Sequence, residues 1–186
     1  MHGGEKVKAF RNHIVLIGFK HVGKSVTGKK LAEKISLPFI DLDQRIEAAY
    51  KEQFHQALNC RQIMQQKGEA FFRHLETATL TQLIDFKPSI ISVGGGTPMN
   101  AENQRILKSC IIIHITAPRG IVYERILMGG LPAFFRPDED LLESFNKLWD
   151  SRMAVYSKLM DFSITNNSSV DDAVTKIIQK LNLDMN

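Results

Sequence analysis

Cysteine is scarce in this chain, two residues in 186, and Cys60 and Cys110 stand in unrelated local contexts. That excludes a disulfide framework and a cysteine-based metal cluster, fits a reducing compartment, and leaves two buried thiols as the simplest expectation. Long apolar runs are missing as well. The longest, residues 110–115, already contains His114, so no segment reads as a membrane span. The start, MHGGEKVKAFRNH, has charge but no apolar core of signal-peptide length, and a cytoplasmic location is expected. Charge of one sign is not concentrated either. Lysine and arginine number 24 against 20 acidic residues, a net charge of +4, and they are scattered rather than massed in one block. The balance suits a small anionic ligand and gives no reason to expect nucleic acid or a membrane surface as partner. There is no repeat and no Pro/Gly/Ser linker. With 44% hydrophobic and 24% charged residues, the chain has the composition of a globular protein with one core, a single domain over 1–186.

What is present is an alternation of short β-rich runs with longer helical ones. Strands are expected at 13–17, 39–42, 89–93, 111–115 and 162–165, and most are continuous and rich in isoleucine or valine. Strands buried on both faces have that character. Helices are expected to open near Gly23, Asp43, Gly68, Ala101, Pro118, Asp140 and Ser169, several beside a capping residue or proline. Right-handed crossovers then give an α/β fold of three layers, a five-stranded parallel sheet covered on both sides. The stretch from Gly129 to Asp140, GGLPAFFRPDED, has paired glycines, two prolines and no period, and is expected to form a mobile loop.

The strongest chemical signal is GFKHVGKS, Gly18 to Ser25, directly after the first strand and before the first helix. It fits the pattern of a phosphate-binding loop, in which backbone N–H groups and the start of a helix wrap a phosphate chain. Lys24 then reaches the β- and γ-phosphates, and Ser25 ligates Mg²⁺. The second strand ends in FIDLD, where alternation along an extended chain puts Asp41 and Asp43 on the same side. One carboxylate suits magnesium and the other an attacking hydroxyl, the two tasks phosphoryl transfer leaves to acids. The alternative is that Asp43 caps the following helix. Arg73 precedes Glu76 by three residues, one face of a helix. Taken alone that is an exposed ion pair. The third strand runs into Gly94, Gly95 and Gly96, which allow close approach to the main chain or form a plain turn.

Taken in order, GFKHVGKS, FIDLD, FFRHLE, GGG, a proline-containing loop and SRMAVY resemble the shikimate kinase family, across nearly the whole chain. The resemblance implies transfer of the ATP γ-phosphoryl group to the 3-hydroxyl of shikimate in aromatic amino-acid biosynthesis, with Mg²⁺ as the metal and a monomeric enzyme. It implies a nucleotide site of Gly18, His21, Val22, Gly23, Lys24, Ser25, Val26 and Arg125, and a metal site of Ser25 and Asp41; on the sequence alone Arg125 fits a surface or helix-pair role equally well. It also implies a substrate site of Asp43, Arg73, Gly94, Gly95, Gly96 and Arg152, in which the two arginines hold the carboxylate and Asp43 receives the hydroxyl proton. The role of Arg152 rests on the resemblance alone. A substrate-binding helical region over 43–76 and a lid over 129–140 complete the expected architecture.

One position departs from the family pattern. The arginine that usually precedes the lid proline is here Leu131, followed by Pro132. Its charge is expected from Arg136, in the same loop and counted here with Lys24 and Asp43 as catalytic, or from Lys20 in the phosphate loop. Failing both, the chain is a slow enzyme or one for another acceptor. Alternatives that remain are a kinase for another small polyol acid such as gluconate and a nucleotide-binding homologue without turnover. The segment between Asp43 and Arg73 is also a few residues longer than is usual.

Overall fold

The computed structural model describes residues 12–129, 140–167 and 169–182. Five strands form one sheet: β1 (Ile14–Ile17), β2 (Phe39–Asp41), β3 (Ile90–Ser92), β4 (Ile111–Thr116) and β5 (Phe162–Thr165). All pairings are parallel, in the order β2-β3-β1-β4-β5. The helices are α1 (Lys24–Ile35), α2 (Leu42–Phe54), α3 (Cys60–Lys67), α4 (Glu69–Ile84), α5 (Ala101–Leu107), α6 (Arg119–Met128), α7 (Leu141–Leu159) and α8 (Val170–Lys180), with a 3₁₀ turn at Thr97–Met99. This is the expected α/β architecture. Each strand lies within one residue of its expected limits.

β1 is central because its four residues, IVLI, are all fully buried and suit a strand covered on both faces. The chain goes from β1 to β2 on one side and returns across to β4 on the other. In such a sheet the crevice beyond the carboxyl ends of the strands, where the order reverses, is the natural ligand site.

Three expectations need correction. Helix α3 was not among the expected helices: it has eight mostly polar residues and buries only Ile63, so no apolar period announces it. Its start is nevertheless fixed by a capping box of Asn59 and Gln62. Asp41 and Asp43 do not lie on one extended strand. The strand ends at Asp41, whose side chain caps α2 by accepting from the Asp43 N–H at 3.1 Å, and Asp43 belongs to the first helical turn. The two thiols also differ, since Cys110 is buried and Cys60 only partly. Of the expected lid, residues 130–139, including Leu131, Pro132 and Arg136, lie outside the described residues. Among the described residues no helix is long and apolar enough to cross a membrane.

Behind the crevice, His114 on β4 lies opposite Ile17 and is buried, its ring 5.1 Å from that of Tyr156. Burial pushes its pKa down to about 4, and the charge of Lys24 adds to the effect. The unfolded chain takes up this proton near pH 6.5. Between the two values unfolding binds a proton, so stability falls as the pH drops from 6.5 toward 4. The expected loss is on the order of 2 kcal/mol. Thermal unfolding of His114→Gln should show a shallower decline over that window than the parent chain; equal declines would remove His114 from the acid response.

Candidate active site

The loop after β1 is shaped by what its residues can and cannot do. Gly18 and Gly23 have φ of 144° and 94°, the region that L side chains avoid. Gly23 caps α1 without any side-chain hydrogen bond, which leaves the first N–H groups of the helix to a ligand. Phe19 anchors the loop: it is buried and stacks on Trp149 of α7 at 4.9 Å between ring centroids. His21 takes a left-handed φ of 64°, and its carbonyl accepts from Arg125 Nη1 at 3.2 Å. Val22 is buried, and its carbonyl accepts from Asn166 Nδ2 at 2.9 Å. The loop is thus braced from α6, from α7 and from the residue after β5.

Lys24 is buried and donates to the carbonyls of Gly18 at 2.9 Å and Phe19 at 2.7 Å. Burial lowers its pKa to about 8, a shift that Asp43 and Asp41 oppose and Arg152 and Lys20 reinforce. Ser25 Oγ donates to Asp41 Oδ2 at 2.8 Å and lies 3.4 Å from Ser92 Oγ at the end of β3. Asp43 is pushed up to about 6, first by partial desolvation in the cavity wall and then by Asp41. A carboxyl with that value is a better proton acceptor than an ordinary aspartate.

The triple glycine explains how the acceptor side is assembled. A Cβ on Gly94 would stand 3.2 Å from Asp43 Oδ1, one on Gly95 2.9 Å from Arg152 Nη1, and one on Gly96 3.0 Å from Arg73 Nη2. Each absent side chain makes room for one functional group. Tyr156, one helical turn beyond Arg152, donates its hydroxyl to the Gly95 carbonyl at 2.6 Å and fixes the glycine strip from behind. Arg152 lies over the Phe19 ring at 5.2 Å. Arg73 pairs with Glu76 at 2.9 Å and Glu69 at 3.5 Å. Glu76 is buried and accepts a second hydrogen bond from Thr97 Oγ1 at 2.7 Å, so the pair is a built support and not a surface contact. Burial lowers the pKa of Arg152, and the nearby charge of Arg73 adds to the effect. Two guanidinium groups gathered in this way suit a carboxylate.

A cavity of about 430 Å³ joins the two halves, with Lys24, Ser25, Asp41, Asp43, Gly95 and Arg152 in its wall. Lys20, His21, Gly23, Val26 and Gly94 line it too. Gly18 and Val22 lie in the loop behind it, Arg73 and Gly96 face each other at its side, and Arg125 reaches the loop through the His21 carbonyl. Ser92, Tyr156 and Asn166 are neighbours of the site that the sequence reading passed over, and Glu76 entered it only as half of an exposed ion pair. Ser92 alone had a visible signal, a hydroxyl in an otherwise apolar buried strand. The donors at Ser25, Asp41 and Ser92 are hard oxygens, which fits Mg²⁺. Among the described residues no group of three acidic, histidine or cysteine side chains could hold a metal.

Residues 20–182 match the family model of shikimate kinase. A shikimate kinase of Aquifex aeolicus is 32% identical over 170 residues, covering 90% of this chain and 95% of that protein. A bifunctional shikimate kinase/3-dehydroquinate synthase of Thermotoga maritima is 29% identical over 145 residues; the match takes in 78% of this chain and 27% of that longer protein. Among solved structures, a shikimate kinase from Acinetobacter baumannii in complex with shikimate superposes with a TM-score of 0.82 at 26% identity, covering 95% of this chain and 97% of the other.

Proposed function

We propose, from the premise that this chain belongs to the shikimate kinase family and phosphorylates shikimate with ATP in aromatic amino-acid biosynthesis, how its own residues divide that work. The observation that carries the assignment is the glycine strip, which sets Asp43, Arg152 and Arg73 side by side next to the phosphate loop. Arg73 and Arg152 hold the shikimate carboxylate, and the ring lies against Gly94, Gly95 and Gly96. The 3-hydroxyl is then directed to Asp43, which orients it and takes its proton. Proximity supplies much of the rate, because in-line transfer needs the hydroxyl held against the terminal phosphoryl group.

On the nucleotide side the N–H groups of the loop from Gly18 to Val26 and the start of α1 bind the phosphates. Lys24 neutralises charge on them, and Arg125 supports the nucleotide end through the carbonyl of His21. Ser25 and Asp41 would hold Mg²⁺, directly or through water, and the ion would spread the charge that develops on the phosphate oxygens. Arg136 is proposed from the sequence as the lid cation. All the groups named come from one chain, and a cytoplasmic monomer with no nucleic-acid or membrane partner is the simplest working form.

The test is ADP release with Mg²⁺-ATP in the presence of shikimate, gluconate or neither. Turnover that depends on shikimate alone is the expected result, and equal rates with gluconate would overturn the acceptor assignment. Arg152→Leu should raise KM for shikimate by about 10- to 100-fold, the worth of a charged hydrogen-bonded pair, with KM for ATP nearly unchanged. Equal increases for both substrates would show that Arg152 only holds the loop in place.

A further inference from the structure

The phosphate loop of this chain carries Lys20, which the sequence offers, with Arg136, as a source of the charge missing at Leu131. Lys20 lies between two fixed points, the buried Phe19 ring stacked on Trp149 and the His21 carbonyl held by Arg125. Its side chain lines the same cavity as Lys24, Asp43 and Arg152 and is exposed to it. Among the described residues no carboxylate pairs with it. The neighbouring cations are committed. Lys24 is buried and bonded to two loop carbonyls, while Arg152 is seated on the Phe19 ring and reaches the Tyr156 hydroxyl. His21 has its pKa lowered, by burial and then by Lys20, and so adds no charge near neutral pH. Lys20 is therefore the exposed cation of the described loop, on a flexible stem long enough to follow a moving charge.

We propose that Lys20 is a further catalytic residue, whose ammonium group contacts the terminal phosphoryl group of the bound triphosphate and follows it toward the acceptor. The proposal rests on the kinase reading above. Asp41 and Asp43 already place two carboxylates in the cavity, and a triphosphate brings several more negative charges. In the transition state that charge gathers on the equatorial oxygens of the transferring group, where an added cation acts most strongly. Leu131 brings no charge to the lid position where the family usually has arginine, so a cation built into the loop has a task to perform.

A cation on the terminal phosphoryl group distinguishes a triphosphate from a diphosphate. Titration calorimetry of Lys20→Met with Mg²⁺ and either ADP or the imido analogue of ATP should show the analogue bound about 10-fold more weakly and ADP within twofold of the parent chain. The value of kcat should fall by roughly 10²-fold, the usual cost of one such donor, and Lys20→Arg should recover most of both effects. Equal weakening for the two nucleotides, or none for either, would overturn the proposal. Failure of the kinase reading looks different. The parent chain would then release no shikimate-dependent ADP, whatever the two nucleotide affinities.

Discussion

Asp43→Asn should lower kcat by on the order of 10³-fold while the dissociation constant for ATP stays within a few-fold of the parent value. A side chain that takes a proton in the transition state contributes about 10²- to 10⁴-fold, and asparagine keeps the shape while losing the acceptor. Asp43 is poised for the task, because desolvation and the adjacent Asp41 push its pKa up to about 6. The nucleotide should scarcely notice the change. The groups assigned to it are loop N–H groups, Lys24 and Ser25, and the Ser25 to Asp41 hydrogen bond at 2.8 Å does not pass through Asp43. Losing one negative charge from the cavity favours binding of a polyanion, if anything. Calorimetric titration of ATP beside steady-state turnover separates the outcomes. Parallel losses in affinity and kcat would mean that Asp43 maintains the shape of the α2 entry and takes no part in proton transfer.

The same residue shows where reading the sequence succeeds and where it stops. FIDLD marks two acids after a strand, and beside a phosphate loop their chemistry is legible from residue type alone. Their geometry is not. Alternation assumes that the strand continues, whereas the chain turns helical at Leu42 because Asp41 caps the helix. The acids are brought together by a cap and a first turn. The sheet was easier to read, since a parallel strand with both faces covered must be apolar throughout, as IVLI is.

Arg73 and Glu76 are a harder case. Their spacing places them on one face of α4, but it does not say whether that face is wet. The answer depends on Thr97, in the turn after the triple glycine, which donates to Glu76 and closes a buried pair. Arg152 has no local signal at all. It reaches the site because α7 packs through Trp149 and Phe145 against Phe19, which only the folded chain brings near. Long-range placement of this kind leaves no periodicity in the sequence, and the resemblance to a family supplied it here.

Replacing Gly18 by alanine should cost roughly 2–6 kcal/mol of stability and abolish measurable ATP binding. Two penalties add. The φ of 144° is one that a residue with a Cβ rarely adopts, a strain of about 1–3 kcal/mol. The new Cβ would also overlap the carbonyl oxygen of Ile115. That carbonyl cannot easily retreat, because Ile115 is fully buried on β4 and paired with Ile164 of β5. Forcing extra atoms into packed surroundings usually costs about 1–3 kcal/mol more. Relief comes only by moving the loop, which breaks the alignment of the N–H groups that hold phosphate and the seat of Lys24 on the Gly18 carbonyl. At this chain length the stability loss corresponds to a drop in melting temperature of about 5–25 °C. Gly120→Ala is the matched control: a Cβ there meets no atom within 4 Å, and the residue lies inside α6. The same added methyl should then be neutral or stabilising by up to about 1 kcal/mol, since alanine favours a helix over glycine. If Gly18→Ala melted with the parent chain and still bound ATP, the loop would have to tolerate a rearrangement that the Ile115 carbonyl forbids.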